Sequence, residues 1–186
     1  MKARIAVAIA AVIFAGAGWW FVANVNVHKT NTAPTNGAAS TISARELKPP
    51  REAPAGFHEY RNEHYRFALF YPSDLAVNLH DEGTGASTIT FQNTDSGKGF
   101  QIFILPYAAP QVSPERFKKD VPSGVRKESV NVTVDGALGT MFFSEQSLLG
   151  PTREIWVIHD GYLFEISTLK PLDNWLQSIM ASFQFL

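Results

Sequence analysis

The sequence of 186 residues contains no cysteine. This absence excludes disulfide bonds, a thiol nucleophile, thiolate metal sites and a lipid-modified N-terminal cysteine. It leaves the cellular compartment open, because a protein outside the cytoplasm can also fold without disulfides.

A basic stripe is also absent. The formal net charge is −1, and from Phe57 onward there are 10 Lys and Arg against 15 Asp and Glu. The first 56 residues hold the other 6 basic and 2 acidic residues. Because neutralising phosphates supplies most of the affinity for nucleic acid, we expect no nucleic-acid partner for this acidic domain.

Motifs for catalysis or nucleotide binding are missing as well. There is no G-x-S-x-G, and Gly83–Gly85 and Gly97–Gly99 have neither Walker spacing nor the setting of a dinucleotide fingerprint. The adjacent carboxylates Asp81 and Glu82 would point to opposite sides of a strand or lie in a loop. We therefore expect no enzyme and no cofactor, and a hydrolase is the least favoured function.

An uncharged, mostly apolar segment lies near the N-terminus. Lys2 and Arg4 precede the run from Ile5 to Val25, which would form a helix of about 31 Å, enough to cross the hydrocarbon core of a bilayer. We predict that residues 1–29 form a single-pass anchor in the inner (cytoplasmic) membrane. The positive N-terminus would stay in the cytoplasm, which places the C-terminal domain in the periplasm.

A cleavable signal peptide is the alternative for this segment. Ala15-Gly16-Ala17 resembles a signal-peptidase site and follows ten apolar residues. Cleavage near Ala17 would release the domain into the periplasm, but it would leave Gly18–Val25 as an apolar stub.

Residues 30–56 are rich in Thr, Asn, Ala, Ser, Pro and Gly and hold few large apolar residues. Such a composition buries too little apolar surface to offset the ordering entropy, so it predicts a flexible linker. Residues 57–186 then form the folded domain, which has the usual size for one core.

Strand patterns dominate the domain. Two hairpins are predicted by Asp-Gly turns, one over Glu128–Phe143 and one over Arg153–Thr168. Shorter apolar or alternating runs predict further strands at Phe67–Tyr71, Ala76–Asp81, Thr88–Gln92 and Phe100–Leu105.

Two helices complete the pattern. Ser113-Pro114-Glu115 is typical of a helix start, and Pro122 ends that helix after about two turns. Apolar residues at helical spacing between Leu172 and Phe183 predict a C-terminal amphipathic helix. The predicted class is α+β, with an antiparallel sheet of six to eight strands.

The opening and closing segments of the domain resemble the PsbP-like group, named for an extrinsic protein of photosystem II. These segments are Tyr60-Arg61-Asn62, Tyr65–Pro72 and Ile179–Phe185. The resemblance covers roughly Tyr60 to Leu186 and implies an α/β/α sandwich, with helices on both sides of the sheet. It also implies a member that binds or assists a larger assembly rather than one that catalyses, and we carry over no functional residue from it.

Five histidines, at 28, 58, 64, 80 and 159, are the candidates for metal binding. His58 and His64 lie close to each other in sequence, and imidazole suits Zn or Cu. Their spacing matches no known ligand pattern, so surface histidines are the simpler interpretation and we assign no metal site.

The leading hypothesis is a non-enzymatic envelope module that binds a protein partner or assists assembly of a complex. The alternative is a domain that binds a metal or a small ligand on a concave face between the sheet and the predicted helix Ser113–Val121.

Overall fold

The computed structural model describes residues 47–146 and 149–186, and Leu47–Leu186 forms one compact unit. The predicted anchor and residues 30–46 of the predicted linker lie outside the described residues. Within the described part of the chain, no helix has the length and hydropathy needed to cross a membrane.

The described residues form ten strands, which make two antiparallel sheets. The smaller sheet has the order β1-β2-β10, and the larger has the order β3-β4-β5-β9-β8-β7-β6. The strands are β1 (Phe57–Asn62), β2 (Phe67–Pro72), β3 (Ala76–Gly83), β4 (Ala86–Asn93), β5 (Lys98–Pro106), β6 (Lys127–Val134), β7 (Ala137–Gln146), β8 (Gly150–His159), β9 (Tyr162–Leu169) and β10 (Gln184–Phe185).

Both predicted Asp-Gly hairpins are confirmed. Asp135 and Gly136 join β6 to β7 with φ angles of 43° and 83°, and Asp160 and Gly161 join β8 to β9 with 45° and 80°. Positive φ at both central positions is the geometry that a two-residue type I′ turn requires. These turns fix the register and hence which side chains face each side of the sheet.

The main core lies between the two sheets. Alternate residues of the larger sheet, such as Ile102 and Ile166, pack there against Phe67 and Leu69 of β2. Helix α2 (Asp173–Met180) follows a 3₁₀ turn at Lys170–Leu172 and adds buried side chains to the same core.

This arrangement differs from a single sheet of six to eight strands flanked by helices. The N-terminal hairpin and the C-terminal tail form a second sheet, because β10 pairs with β2 rather than with the large sheet. The Phe185 N–H donates a 2.8 Å hydrogen bond to the Asp135 carboxylate, and its ring stacks on His159. The described part of the chain is mostly sheet, and among the described elements the short helix α1 (Pro114–Asp120) is the one that lies on the other face of the large sheet.

The end of the predicted linker contacts the smaller sheet. Arg51 lies over the Phe70 ring and pairs with Glu59 at 2.9 Å. It also donates a 2.8 Å hydrogen bond to the Ser182 carbonyl oxygen. Residues 47–56 thus reach the domain along the outer face of β1 and β2.

Candidate functional site: a groove beside helix α1

The face of the large sheet that lies away from the main core carries a second, smaller core. Trp156, Phe142 and Leu163 are almost fully buried there, and Val121 is the buried residue that follows α1. Alternation along each strand places these residues opposite to the main core. A seven-residue helix cannot cover a seven-stranded sheet, so the described residues leave part of this face uncovered beside α1.

Local hydrogen bonds fix where α1 begins, and the predicted helix start is confirmed. Ser113 has extended backbone, and its Oγ accepts a 3.1 Å hydrogen bond from the N–H of Arg116, as an N-cap does. The Ser113 N–H in turn donates to the Tyr107 hydroxyl at 2.8 Å, and that hydroxyl donates to the Gln111 carbonyl at 3.0 Å. The loop before the helix is thus tied to the helix cap.

A groove of about 240 Å³ opens between α1 and the sheet, and we call it the α1 groove. Three aromatic rings form its floor and one wall: Phe117 lies 5.8 Å from Phe142 and 5.7 Å from Trp156, and the last two rings are 5.4 Å apart. The lining residues are Val112, Ser113, Pro114, Phe117, Arg126, Thr140, Phe142 and Trp156. The lining is mainly apolar and its one charged member is cationic.

The rim of the α1 groove combines a cation with an exposed apolar residue. The Arg126 guanidinium lies 5.6 Å from the Phe117 ring centre and 5.2 Å from that of Phe142. Leu138, Thr140 and Phe142 alternate along β7 and therefore share one face. Leu138 is 79% exposed and lies two residues before the lining residue Thr140 on the same face, so we place it at the rim of the groove.

The opposite side of α1 rests on buried carboxyl groups. Arg116 forms a two-pronged pair with Asp120, and its Nε lies 3.9 Å from Oε1 of Glu165 on β9. Burial raises the pKa of Glu165 well above its ordinary value, and the neighbouring Asp120 raises it further, against the opposing effect of Arg116. Oε1 of Glu165 accepts no hydrogen bond from any described residue.

Glu154 on β8 is the second buried carboxyl on this face. Its side chain accepts a 2.7 Å hydrogen bond from the Thr152 hydroxyl. Burial nevertheless raises its pKa to about 7. Sequence reasoning missed both glutamates, although a single acidic residue within the apolar runs around Ile155 and Phe164 was a signal for them.

The structure places the two candidate histidines at opposite ends of the β1–β2 hairpin. His58 lies in β1 opposite Tyr71, whereas His64 lies in the turn after β1, against the rings of Tyr65 and Tyr162. His64 shares an open cleft of about 370 Å³ with Asp81. Among the described residues, no group of three or more His, Cys, Asp or Glu is arranged to hold a metal ion.

Comparisons with known proteins bear on the fold. No family model and no curated protein matches the chain. The solution structure of cyanobacterial PsbP (CyanoP) from Synechocystis sp. PCC 6803 is similar, with a TM-score of 0.50 and 14% sequence identity. The match covers 75% of this chain and 98% of that chain. At this identity the likeness shows the fold alone, and the fold is PsbP-like.

Proposed function

We propose that the chain is a non-enzymatic envelope module that docks a protein partner in the α1 groove and so assists a larger assembly. Residues 1–29 hold it in the inner membrane, and the PsbP-like domain lies on the periplasmic side. The observation that carries this proposal is the α1 groove with Leu138 at its rim.

The groove has the composition of a docking site for side chains. Rigid aromatic walls around a small pocket are typical of the places where partner proteins insert their anchor residues. Its volume of about 240 Å³ lies below the roughly 300–1,000 Å³ of pockets that enclose small molecules. One or two side chains of a partner therefore fit it better than a whole small ligand.

The tether supports a role beside a membrane-bound assembly. A linker of 27 residues, at positions 30–56, allows a mean reach of about 30 Å if flexible. The contacts of Arg51 with Glu59 and Ser182 shorten the free part of this tether. The domain would then work close to the membrane surface.

Covalent capture from intact cells tests the proposal. The tagged full chain is crosslinked in cells, and we expect it in the membrane fraction together with a partner. Leu138→Asp places a charge at the groove rim and should remove that partner. The matched control is Val130→Asp on β6. Val130 is 48% exposed and pairs with Met141, so it lies on the face of the sheet opposite to the α1 groove.

The comparison between the two variants decides the outcome. A partner retained by Leu138→Asp, or lost equally from both variants, would contradict docking at the α1 groove. Circular dichroism of both variants checks that each one is folded.

A further inference from the structure

Basic residues are concentrated in the segment that contains α1 and the residues after it, although the domain is acidic. Five of the ten Lys and Arg residues after position 56 lie between Arg116 and Lys127, a stretch that holds only one acidic residue, Asp120. Arg116 and Asp120 neutralise each other as a pair. Glu115, in the first turn of α1, is the one other acidic residue in the helix.

Two of these cations border the groove. Arg126 lines it directly and donates a 3.1 Å hydrogen bond to the Ser129 hydroxyl, which holds the guanidinium over the aromatic rings. Lys118 lies one helical turn after the lining residue Pro114, so both share a side of α1. Neither Arg126 nor Lys118 forms an ion pair with any residue that the structure describes.

From this geometry we infer that the occupant of the α1 groove is an acidic segment of a protein partner, which inserts one bulky apolar side chain between α1 and β7. The inference rests on the proposed function and names the chemistry of its partner. The apolar side chain would contact Phe117, Phe142 and Trp156. Carboxylates on either side of it would meet Arg126 and Lys118, and a guanidinium can bind a carboxylate with two parallel hydrogen bonds.

An anionic membrane surface is the competing occupant, and the charge distribution disfavours it. The domain from Phe57 onward carries 10 basic and 15 acidic residues, so a negatively charged bilayer would repel it as a whole. Phe142 and Trp156 are buried and lie below the rim, where they cannot insert into lipid. A narrow peptide can reach the rings of the groove, whereas a flat headgroup layer cannot.

Peptide binding to the full chain in neutral-lipid nanodiscs tests the inference. The probe is a fluorescein-labelled peptide with one central leucine flanked by two glutamates on each side. The controls replace all glutamates by glutamine, or the leucine by alanine. We expect fluorescence anisotropy to report binding of the first peptide, and at least tenfold weaker binding of each control.

Two variants distinguish binding of the peptide at the groove from a general effect of the positive charges on the protein. Arg126→Gln with Lys118→Gln should weaken binding of the acidic peptide at least tenfold, whereas Lys98→Gln, an exposed lysine at the start of β5, should not. Raising NaCl from about 0.05 to about 0.5 M should weaken the wild-type interaction more than that of the double variant, because salt screens exposed charges.

The alternative outcomes overturn the inference in recognisable ways. Equal binding of the glutamate and glutamine peptides, or of wild type and double variant, would show that the charges do not select the partner. Stronger binding to phosphatidylglycerol vesicles than to the peptide, lost in the double variant, would assign the surface to the membrane. If the cellular partner is lost with Leu138→Asp but kept with the double variant, docking in the groove stands and the inferred acidic chemistry fails.

Discussion

At the scale of single residues, the α1 face of the large sheet buries two glutamates, Glu154 and Glu165. Glu154 is 4% exposed and its pKa is raised to about 7 by burial, against an ordinary value of 4.5. The folded protein therefore holds this proton between about pH 4.5 and pH 7, where the unfolded chain has lost it. Stability from this group is highest at low pH and falls as the pH rises through that window.

The variant Glu154→Gln should remove this pH dependence, because glutamine keeps the carbonyl acceptor for Thr152 but cannot ionise. A shift of this size corresponds to a loss on the order of 3 kcal/mol in the free energy of unfolding between pH 4.5 and pH 8. Urea unfolding at both pH values measures it. We expect the variant to lose less stability over this interval than wild type.

The control for this prediction is Glu145→Gln, an exposed glutamate on β7. It should follow the wild-type profile, because it leaves the buried Glu154 in place. An unchanged profile for Glu154→Gln would contradict the raised pKa. A change of equal size in both variants would show that general charge, rather than burial, sets the dependence.

At the scale of elements, the close approach of β7 and β8 positions Thr140, Phe142 and Trp156 in the groove. Gly139 makes that approach possible: a Cβ at this position would lie 2.7 Å from the Trp156 carbonyl oxygen and 2.8 Å from Cγ2 of Val157. The first contact is with backbone, which cannot rotate away.

Gly139→Ala should therefore destabilise the domain by about 2 kcal/mol, as overpacking in a filled interior does. A lower midpoint in urea unfolding, followed by tryptophan fluorescence, would report it. Thr133→Ala, on the partner strand β6 opposite Leu138, is the control and should shift the midpoint little. Equal midpoints for Gly139→Ala and wild type would show that β7 and β8 can move apart at low cost.

Local sequence was enough to predict the two hairpins and the start of α1. The turns at Asp135-Gly136 and Asp160-Gly161 and the N-cap at Ser113 depend on interactions with residues only a few positions away. The second sheet was not predicted. Strand β10 has two residues, and it depends on pairing with β2 and on the Asp135 carboxylate, which lies 50 positions away. Contacts between residues so far apart in sequence leave no pattern in the residues around β10 from which they could be predicted.

The sequence predicted a concave face between the sheet and the first helix, but it did not predict which residues line that face. The alternative hypothesis named a concave face between the sheet and the helix Ser113–Val121, and the α1 groove lies there. Its floor joins Phe142 and Trp156 from two strands, and its rim takes Arg126 from the segment before β6. Alternation predicts which side chains of one strand share a face, but it does not predict which strands lie next to each other in the sheet.

At the scale of the whole molecule, a PsbP-like domain follows a proposed membrane anchor and is proposed to bind a protein partner. Arg126 lines the α1 groove and Lys118 lies beside it, although acidic residues outnumber basic ones in the domain as a whole. We propose that the groove faces the partner. The predicted linker would hold the domain within reach of that partner.

Site-specific photocrosslinking in intact cells tests this central claim most directly. The full chain carries p-benzoyl-phenylalanine in place of Leu138, or in place of Val130 on the opposite face of the same hairpin. We predict one dominant light-dependent adduct with a protein from position 138, and none of that mass from position 130. The same adduct from both positions, or adducts from position 130 alone, would contradict docking at the α1 groove.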